Sequence, residues 1–379
     1  MMRTVLLSDI CSYVNSKIQV EQVQLTDYVS TENLLQNKGG LSVANKLPSG
    51  KVTVFQAGDV LVSNIRPYFK KIWLANRSGG ASNDVLVFRK LNDNVYEKYL
   101  YYILADDRFF AFSTASASGS KMPRGDKTQI MNYPVNLPPL DQQKKIADIL
   151  GSLDEKIELN RRMNEALEQL GQALFRHYFV DNPEANSWDD VKVGELVDIK
   201  GGGTPSTKNS SFWGGDIVWS SPRDLANQKC HFLMRTDKTI TKQGLSKISS
   251  GVLPAGTLLL SSRAPIGYIA FTGVDMAINQ GYIAFLPKAK LSNYFMYFWL
   301  KNNIQKIKDS ANGSTFLEIS KTAFRNIYIK QPNQLLHNKF QYKAMIILDK
   351  IRNNEAEIYN LTSLRDSLLP KLISGEVIL

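Results

Sequence analysis

Few residues in this sequence are arranged as a catalytic or metal-binding group requires. The two cysteines, Cys11 and Cys230, are far apart, so the sequence predicts no disulfide framework. The three histidines, His177, His231 and His337, share no metal-ligand spacing with the cysteines or with one another. The sequence therefore predicts neither a zinc cluster nor another metal site.

Three short segments resemble enzyme motifs without completing them. Residues 136–140 read NLPPL, whereas an adenine methyltransferase needs Asn/Asp-Pro-Pro followed by an aromatic residue. The glycines at 201–203 lack the Gly-Lys-Ser/Thr ending that places a lysine on phosphates. Residues 189–192 (DDVK) lack a further acidic partner for a nuclease site. We therefore assign no catalytic residue.

Basic side chains are the remaining chemical feature. Lysine and arginine total 46 against 35 acidic residues, for a net charge of +11. Such an excess favours a polyanionic partner, because cations attract phosphates. An ordinary basic protein of the cytosol has a similar balance, so charge alone leaves both interpretations open.

Candidate DNA contacts are the polar residues that follow predicted strands or occupy predicted loops, since Lys and Arg bind phosphates and Arg, Lys, Asn and Gln read base edges. In the first half of the chain the candidates are Arg66, Lys70, Lys71, Lys121, Arg124 and Lys127. In the second half they are Lys208, Arg223, Arg263, Asn312, Thr315 and Lys321. The alternative for each is a solvated surface residue.

The chain repeats itself once. Residues 54–63 (VFQAGDVLVS) match 252–261 (VLPAGTLLLS), and 116–120 (SASGS) match 310–314 (SANGS). Weaker matches occur in the same order, among them 7–10 with 193–196 and 28–34 with 219–225. Chance similarity among strands would not preserve this order, so the sequence predicts a tandem duplication.

Each copy opens with a segment that predicts a mixed α/β domain. Short apolar runs at 52–55, 60–63, 85–88 and 282–285 predict strands. Aromatic and apolar residues at helical spacing predict helices at 96–104 and 294–304, where we interpret the aromatic residues as core rather than as base-stacking residues. The predicted domains are 1–138 and 186–331.

Each copy ends in a predicted long helix, at 139–180 and 333–379, that begins after prolines. An apolar stripe with steps of three and four predicts that the two helices pair as an antiparallel coiled coil. The pairing residues of the first helix are Ile146, Leu150, Leu153, Ile157, Asn160, Leu167 and Leu174. Those of the second are Ile347, Ile351, Asn354, Ile358, Leu361 and Leu368.

Two copy-equivalent asparagines, Asn160 and Asn354, interrupt these stripes near the middle of each helix. If the helices pair about a pseudo-two-fold axis, the two residues meet near that axis and specify the register. The alternative is two solvent-facing asparagines. A rod of this kind would hold two unlike domains at a fixed spacing, suited to a split and asymmetric DNA site.

The chain resembles the specificity subunit of a type I restriction-modification system over essentially its whole length. The segments that carry the resemblance are 28–34 (YVSTENL), 137–150 (LPPLDQQKKIADIL), 200–207 (KGGGTPST), 313–321 (GSTFLEISK) and 368–377 (LLPKLISGEV). The resemblance implies two α/β target-recognition domains, separated by two long antiparallel helices that form a pseudo-two-fold symmetric coiled-coil rod.

The resemblance also implies partners. They are double-stranded DNA, two methyltransferase (modification) subunits and endonuclease/translocase (restriction) subunits. The partner subunits would hold S-adenosylmethionine, ATP and magnesium, and this chain no cofactor. With no signal peptide or membrane-length apolar run, we expect a cytoplasmic protein without a membrane partner. Two alternatives stay open: a protein-interaction scaffold with a coiled-coil core, and a self-contained DNA-modifying enzyme.

Overall fold

The computed structural model describes residues 3–228, 230–263, 265–286, 290–311, 317–377 and 379. Two compact units make up the chain. Unit 1 comprises Met1–Ile157 with Asn360–Leu379, and unit 2 comprises Glu158–Tyr359. We name the globular part of unit 1 head 1 (residues 3–137) and that of unit 2 head 2 (residues 182–330).

Head 1 is built on two sheets of short strands. The strands are β1 (Arg3–Leu6), β2 (Cys11–Tyr13), β3 (Lys17–Gln19), β4 (Tyr28–Val29), β5 (Lys51–Phe55), β6 (Val60–Ser63), β7 (Ile72–Leu74), β8 (Gly79–Ala81), β9 (Val85–Lys90) and β10 (Pro134–Leu137). One sheet has the order β2-β9-β6-β7 and the other β3-β5-β8-β4, and β1 pairs with β10. Strand β6 is buried along its whole length, so its sequence is a continuous apolar run rather than an alternating one.

Short helices cover the β2-β9-β6-β7 sheet of head 1. They are α1 (Glu97–Ala105), α2 (Asp107–Ala115) and α3 (Lys127–Met131). Asp106 and Asp126 cap α2 and α3, because their side chains accept hydrogen bonds from first-turn N–H groups. Aromatic residues of α1 such as Tyr99 lie in the core beside Phe88, which confirms their predicted core role.

Head 2 contains a second set of strands and helices. The strands are β11 (Asp190–Lys192), β12 (Ile199–Lys200), β13 (Trp213–Ser220), β14 (Phe232–Leu233), β15 (Lys238–Ile240), β16 (Leu258–Ser261), β17 (Ile269–Thr272), β18 (Ala277–Ile278), β19 (Tyr282–Phe285) and β20 (Tyr328–Lys330). The helices are α5 (Val193–Leu196), α6 (Pro222–Gln228), α7 (Lys242–Leu245), α8 (Asn293–Asn302), α9 (Ile304–Asp309) and α10 (Lys321–Arg325). The sheets have the orders β12-β19-β16-β17-β14 and β15-β13-β18, and β11 pairs with β20.

The two heads repeat one topology. The order β12-β19-β16-β17 reproduces β2-β9-β6-β7, and the parallel pair β13-β18 reproduces β4-β8. Side chains repeat as well: Asn33 accepts hydrogen bonds from the N–H and hydroxyl of Ser30, and Asp224 accepts them from the same groups of Ser221. The tandem duplication inferred from the sequence is therefore present in the fold.

A tight turn before β6 and before β16 explains the glycine in the best-matching segment of the repeat. Gly58 has a φ of +90° and Gly256 a φ of +84°. A residue with a Cβ adopts this left-handed backbone only at a cost, whereas glycine adopts it freely. Both copies thus retain glycine because both make the same turn.

Two long helices follow the heads in sequence. Helix α4 (Leu140–Phe175) begins after Pro139 and continues into a π-helical turn at Arg176–Val180, and α11 (Gln334–Ser374) begins after Pro332. In unit 1, Asp154 of α4 bonds to Arg365 of α11. In unit 2, the contacts run from Asn160 to Glu357 and from Asn164 to Asn354. Residue numbers rise on one helix as they fall on the other, so the predicted antiparallel pairing is confirmed, as is the mixed α/β class.

Burial along the predicted apolar stripe is high. Seven of the predicted pairing residues are buried: Ile146, Leu150, Ile157, Asn160, Ile347, Ile351 and Asn354. The others are partly buried: Leu153, Leu167, Leu174, Ile358, Leu361 and Leu368. Further buried residues of α11 are Phe340, Ala344, Leu348, Leu369 and Leu372. The last two belong to the core of unit 1, because the end of α11 packs against Ile146 and Leu150 there.

The mid-helix asparagines are buried but do not bind each other. Asn160 and Asn354 are each 1% exposed, which excludes the solvent-facing alternative. The amide of Asn160 donates to Glu357 at 2.9 Å, and that of Asn354 donates to Asn164 at 2.8 Å. The helical register places each asparagine about one turn away from the other, which prevents the direct contact that we expected.

An arginine joins the two helix segments of unit 1, where Asp154 lies on α4 and Arg365 and Asp366 lie on α11. Arg365 is 8% exposed, and its guanidinium donates to Asp154 at 2.7 Å and to Asp366 at 2.8 Å. Tyr102 of α1 also donates to Asp154, at 2.8 Å. Burial alone would lower the pKa of Arg365, but the carboxylates raise it above its ordinary value. The guanidinium of Arg365 therefore stays charged through the ordinary pH range.

In unit 2 a histidine of the head contacts both helices. His231 of head 2 lies with Nε2 3.0 Å from Glu168 of α4 and Nδ1 2.8 Å from Glu355 of α11. Lys301 and Tyr297 of α8 also donate to Glu168, at 2.7 and 3.0 Å. Burial alone would lower the pKa of His231, but its hydrogen bonds to the two carboxylates raise it to about 9. Burial alone would raise the pKa of Glu168, but hydrogen bonds from His231 and Lys301 hold it well below its usual range.

Candidate nucleic-acid interface

One edge of head 1 gathers several of the predicted DNA contacts. Strands β6 and β9 are antiparallel neighbours with Ser63 opposite Val85, so the segments after β6 and before β9 lie at the same edge. The loop 116–126 is tied to this edge. Arg124 bridges to Ile65, and the N–H of Arg66 donates to the carbonyl of Pro123 at 2.8 Å.

The side chains at this edge differ in how they are held. The Nε of Arg124 donates to Oδ1 of Asp84 at 3.0 Å, and both groups are about half exposed. Arg66 has a left-handed backbone (φ +51°) and donates to the carbonyl of Lys121 at 3.2 Å. Lys121 and Lys127 are exposed, and no carboxylate lies within ion-pair distance of them in the described part of the chain. The structure brings these four predicted residues together.

Lys70 and Lys71 have partners elsewhere in head 1. The amine of Lys70 lies 2.8 Å from Asp107, a carboxylate that it shares with Lys38 at 3.0 Å. Partial burial alone would raise the pKa of Asp107, but these two lysines lower it. The amine of Lys71 donates to the carbonyl of Thr31, and burial lowers the pKa of Lys71. Both lysines are thus less available to a phosphate than Lys121 or Lys127.

The equivalent edge of head 2 is built in the same way. Ser261 of β16 lies opposite Tyr282 of β19, and the N–H of Ile319 donates to the carbonyl of Ser262 at 2.9 Å. The backbones of Arg263 and Glu318 form an isolated antiparallel β-bridge, and Nε of Arg263 lies 3.0 Å from Oε1 of Glu318.

Lys321 and Lys127 occupy equivalent places. Each is the first residue of a short helix, after Ser320 before α10 and after Asp126 before α3. Both lysines are exposed. The structure therefore supports the equivalence of the two lysines that the repeat indicates.

The glycine loop after β12 lies close to the end of β18. The N–H of Gly203 donates to the carbonyl of Ile278 at 2.9 Å, and a Cβ at Gly202 would lie 1.9 Å from that carbonyl oxygen. Only glycine permits this approach. Lys208 at the end of the loop is exposed, and so is Arg223 at the start of α6. Asn312 and Thr315, also predicted as contacts, lie outside the described residues.

Sequence reasoning missed the carboxylates. Asp84 and Glu318 were not among the predicted residues, although each is now found on a predicted arginine. A signal was present in the repeat, because residue 318 is the copy-equivalent of Arg124 and carries the opposite charge. His231 was also missed, since its partners Glu168 and Glu355 are remote in sequence.

Among the described residues, no group of three or more His, Cys, Asp or Glu side chains could hold a metal ion. No helix in that part of the chain is long and apolar enough to cross a membrane. Two heads that repeat one topology and present basic loops have the features that a nucleic-acid-recognition protein needs.

A family comparison names the class more closely. The model described as type I restriction modification DNA specificity domain matches residues 2–169 and 186–362. The chain therefore belongs to this family, and the resemblance seen in the sequence is confirmed. The family is that of the non-catalytic specificity subunits, distinct from the methylase and nuclease subunits. It implies DNA and restriction-modification subunits as partners and no catalytic cofactor held by this chain.

Individual relatives agree with this assignment. The HindI specificity subunit of Haemophilus influenzae is 25% identical over 98% of both chains. The MjaIX specificity subunit of Methanocaldococcus jannaschii is 34% identical over 44% of this chain and 40% of its own length. The crystal structure of a type I restriction-modification S subunit from M. genitalium superposes with a TM-score of 0.62 at 16% identity, covering 98% of this chain and 96% of that one. That last likeness concerns the fold.

Proposed function

We propose that the chain recognises a bipartite, asymmetric site on double-stranded DNA, with one half-site for each head. The recognition domains in this proposal are residues 1–138 and 186–331, and residues 139–180 and 333–379 are the spacer helices. The observation that carries the proposal is the pair of equivalent edges. Their backbone is the same, but their exposed side chains differ, as Arg124 in head 1 and Glu318 in head 2 illustrate. Because the two edges share a backbone but differ in their exposed side chains, each head can recognise a different half-site.

The predicted contact residues stay a proposal, in two groups. Lys121, Lys127, Lys208, Arg223 and Lys321 are exposed and serve as phosphate contacts, because a cation without a neighbouring carboxylate gains most from displacing counterions. Arg66, Lys70, Lys71, Arg124 and Arg263 already contact other groups of the protein, so they are weaker candidates for phosphate contacts. Asn312 and Thr315, which lie outside the described residues, are also proposed as DNA contacts.

We propose further that two methyltransferase subunits dock on the chain, followed by restriction subunits. An apolar stripe on α11 supports a docking role: Leu335, Tyr342 and Ile346 are 62, 63 and 52% exposed. They are spaced by whole turns and so share one helix face. S-adenosylmethionine, ATP and magnesium would be held by the partner subunits. Since its substrate is DNA, the assembly would work in the cytoplasm.

Methylation mapping tests the proposal. DNA from cells that express this chain with its methyltransferase should carry a split methylated motif, and the motif should vanish when the chain is deleted. Exchange of residues 186–331 for the same region of a relative should change one half of the motif and leave the other intact. If both halves change together, the model of two independent heads is wrong.

The scaffold alternative predicts another result. A protein that acts only through its helices would bind DNA weakly or with no dependence on salt. Phosphate contacts make the affinity fall steeply as salt rises. Gel shifts of the complex at two salt concentrations therefore separate the two functions.

A further inference from the structure

Each head presents, at the equivalent edge, one arginine whose Nε forms an ion pair with a carboxylate. In head 1, Nε of Arg124 lies 3.0 Å from Asp84. In head 2, Nε of Arg263 lies 3.0 Å from Glu318. All four side chains are between 40 and 52% exposed, so the pairs lie at the surface.

Both heads have an isolated β-bridge between the segment after the strand and the loop, but the arginine lies on a different partner of that bridge in each head. Residue 124 bridges to Ile65 in head 1, and residue 318 bridges to Arg263 in head 2. Head 1 therefore places its arginine on the loop, whereas head 2 places it on the segment after the strand. A shared ancestral pair does not account for this exchange of positions. The feature that both heads retain is an arginine held by its Nε at this edge.

The geometry leaves the end of each guanidinium available. Nε is the guanidinium atom nearest the carboxylate in both pairs, with a hydrogen bond in head 1 and an ion pair in head 2. Within the described residues no hydrogen bond is found for the two terminal nitrogens of either arginine. Those nitrogens form a planar fork of donors. Guanine offers two acceptors at matching spacing, O6 and N7, in the major groove, and a bidentate arginine is their commonest partner.

The charge of each pair argues against a phosphate contact. An arginine with a carboxylate at 3.0 Å is close to neutral as a pair, so it releases few counterions and gains little affinity from the DNA backbone. A carboxylate next to a phosphate would also repel it. The exposed lysines Lys121, Lys127 and Lys321 carry no such neighbour in the described structure and suit phosphates better.

We infer that Arg124 and Arg263 each recognise a guanine, one in each half-site, and that Asp84 and Glu318 are positioning residues that orient the two forks. The inference rests on the proposed function and deepens it, because it assigns a base to one residue in each head. It requires a G·C pair in both halves of the recognised motif.

The test uses the full chain expressed with its methyltransferase, and it compares methylated motifs base by base. The substitution Arg124→Lys keeps the charge and removes the fork. It should relax one G·C position in one half of the motif, with roughly tenfold to hundredfold less discrimination there. Arg263→Lys should relax one position in the other half only. The salt dependence of binding should stay unchanged in both variants.

The positioning residues need a separate readout. Asp84→Asn should weaken discrimination at the same base as Arg124→Lys, and Asp84→Glu should restore it, because the carboxylate acceptor is present again. If Asp84 only stabilised the fold, Asp84→Asn would lower the unfolding temperature but would not weaken discrimination at that one base. The matched control is Lys127→Gln, which should lower affinity for all sequences alike, reduce the salt slope and leave the motif unrelaxed.

Three outcomes would overturn the inference while the proposed function stands. The first is a split motif that lacks G·C in either half. The second is Arg124→Lys or Arg263→Lys with an unrelaxed motif. The third is a uniform loss of affinity with a smaller salt slope, which identifies a phosphate contact. If the unmodified chain directs no split motif, the proposed function itself fails.

Discussion

The two units carry different ionisable groups at the long helices. In unit 1, Arg365 of α11 bonds to Asp154 of α4 and to Asp366, and in unit 2, His231 of the head bonds to Glu168 of α4 and Glu355 of α11. In both units the carboxylates lie on the helices, and a tyrosine of the head, Tyr102 or Tyr297, donates a hydrogen bond to one of them. The difference teaches that a duplicated fold need not repeat the ionic contacts that its copies make at the helices. The charge of Arg365 does not change in the ordinary pH range, whereas that of His231, with a pKa raised to about 9, does.

The largest effect that we expect is from Arg365→Met in unit 1. Methionine retains the packing of the side-chain stem, but it leaves Asp154 without its cation. Breaking a buried pair in this way costs about 4 kcal/mol in the free energy of unfolding. Hydrogen exchange of peptides from residues 140–157 and 360–374 should show the loss at every pH between about 6 and 9.

The double variant Arg365→Met with Asp154→Asn checks the cause. Since it removes both charges, it should recover part of the stability lost in the single variant. A double variant less stable than the single one would show that Arg365 acts through packing rather than through its charge.

A somewhat smaller effect, with a clear pH dependence, is expected from His231→Gln in unit 2. Because the pKa of His231 is raised from 6.5 to about 9, its charge stabilises the fold fully below pH 6.5. This contribution declines as the pH rises through about 9. The variant should therefore be about 3 kcal/mol less stable than the unmodified chain near pH 6, and nearly equal to it above pH 10.

The other groups that face His231 set the limits of this window. Glu168 and Glu355 face it from the two helices, and Lys301 and Tyr297 face Glu168 from α8. The pKa of Glu168 is lowered, so its contribution is present above its ordinary value of 4.5 and is lost at lower pH. Urea unfolding at several pH values measures the window. A difference between the variant and the unmodified chain that stays constant from pH 6 to 10 would refute the assigned role.

The smallest expected effect tests a feature that the two heads share, the glycine turn before β6 and before β16. Gly58→Ala and Gly256→Ala each place a Cβ on a left-handed backbone, with φ of +90° and +84°. We expect each to cost about 1 kcal/mol, because the turn and not its surroundings causes the strain. Thermal unfolding of the two variants measures it. Clearly unequal costs would mean that the two turns are not structural equivalents.

Local patterns in the sequence were sufficient for much of the fold. Strands β6 and β19 coincide with the runs at 60–63 and 282–285, and α4 and α11 begin just after the predicted proline boundaries. The duplication was also evident from ordered matches. Side-chain periodicity and turn residues are local properties of the chain, so they can be recognised without knowing what packs against them.

The candidate site depended on contacts that no local pattern reveals. The sequence alone determined the repeat, the element types and a set of basic candidates. Only the tertiary structure decided which cations pair with a carboxylate, as Lys70 does with Asp107 and Arg263 with Glu318. It also decided that Asn160 binds Glu357 and not Asn354. The physical reason is that an ion pair needs its partners within about 4 Å, and partners dozens of residues apart are brought to that distance only by the packing of sheets and helices.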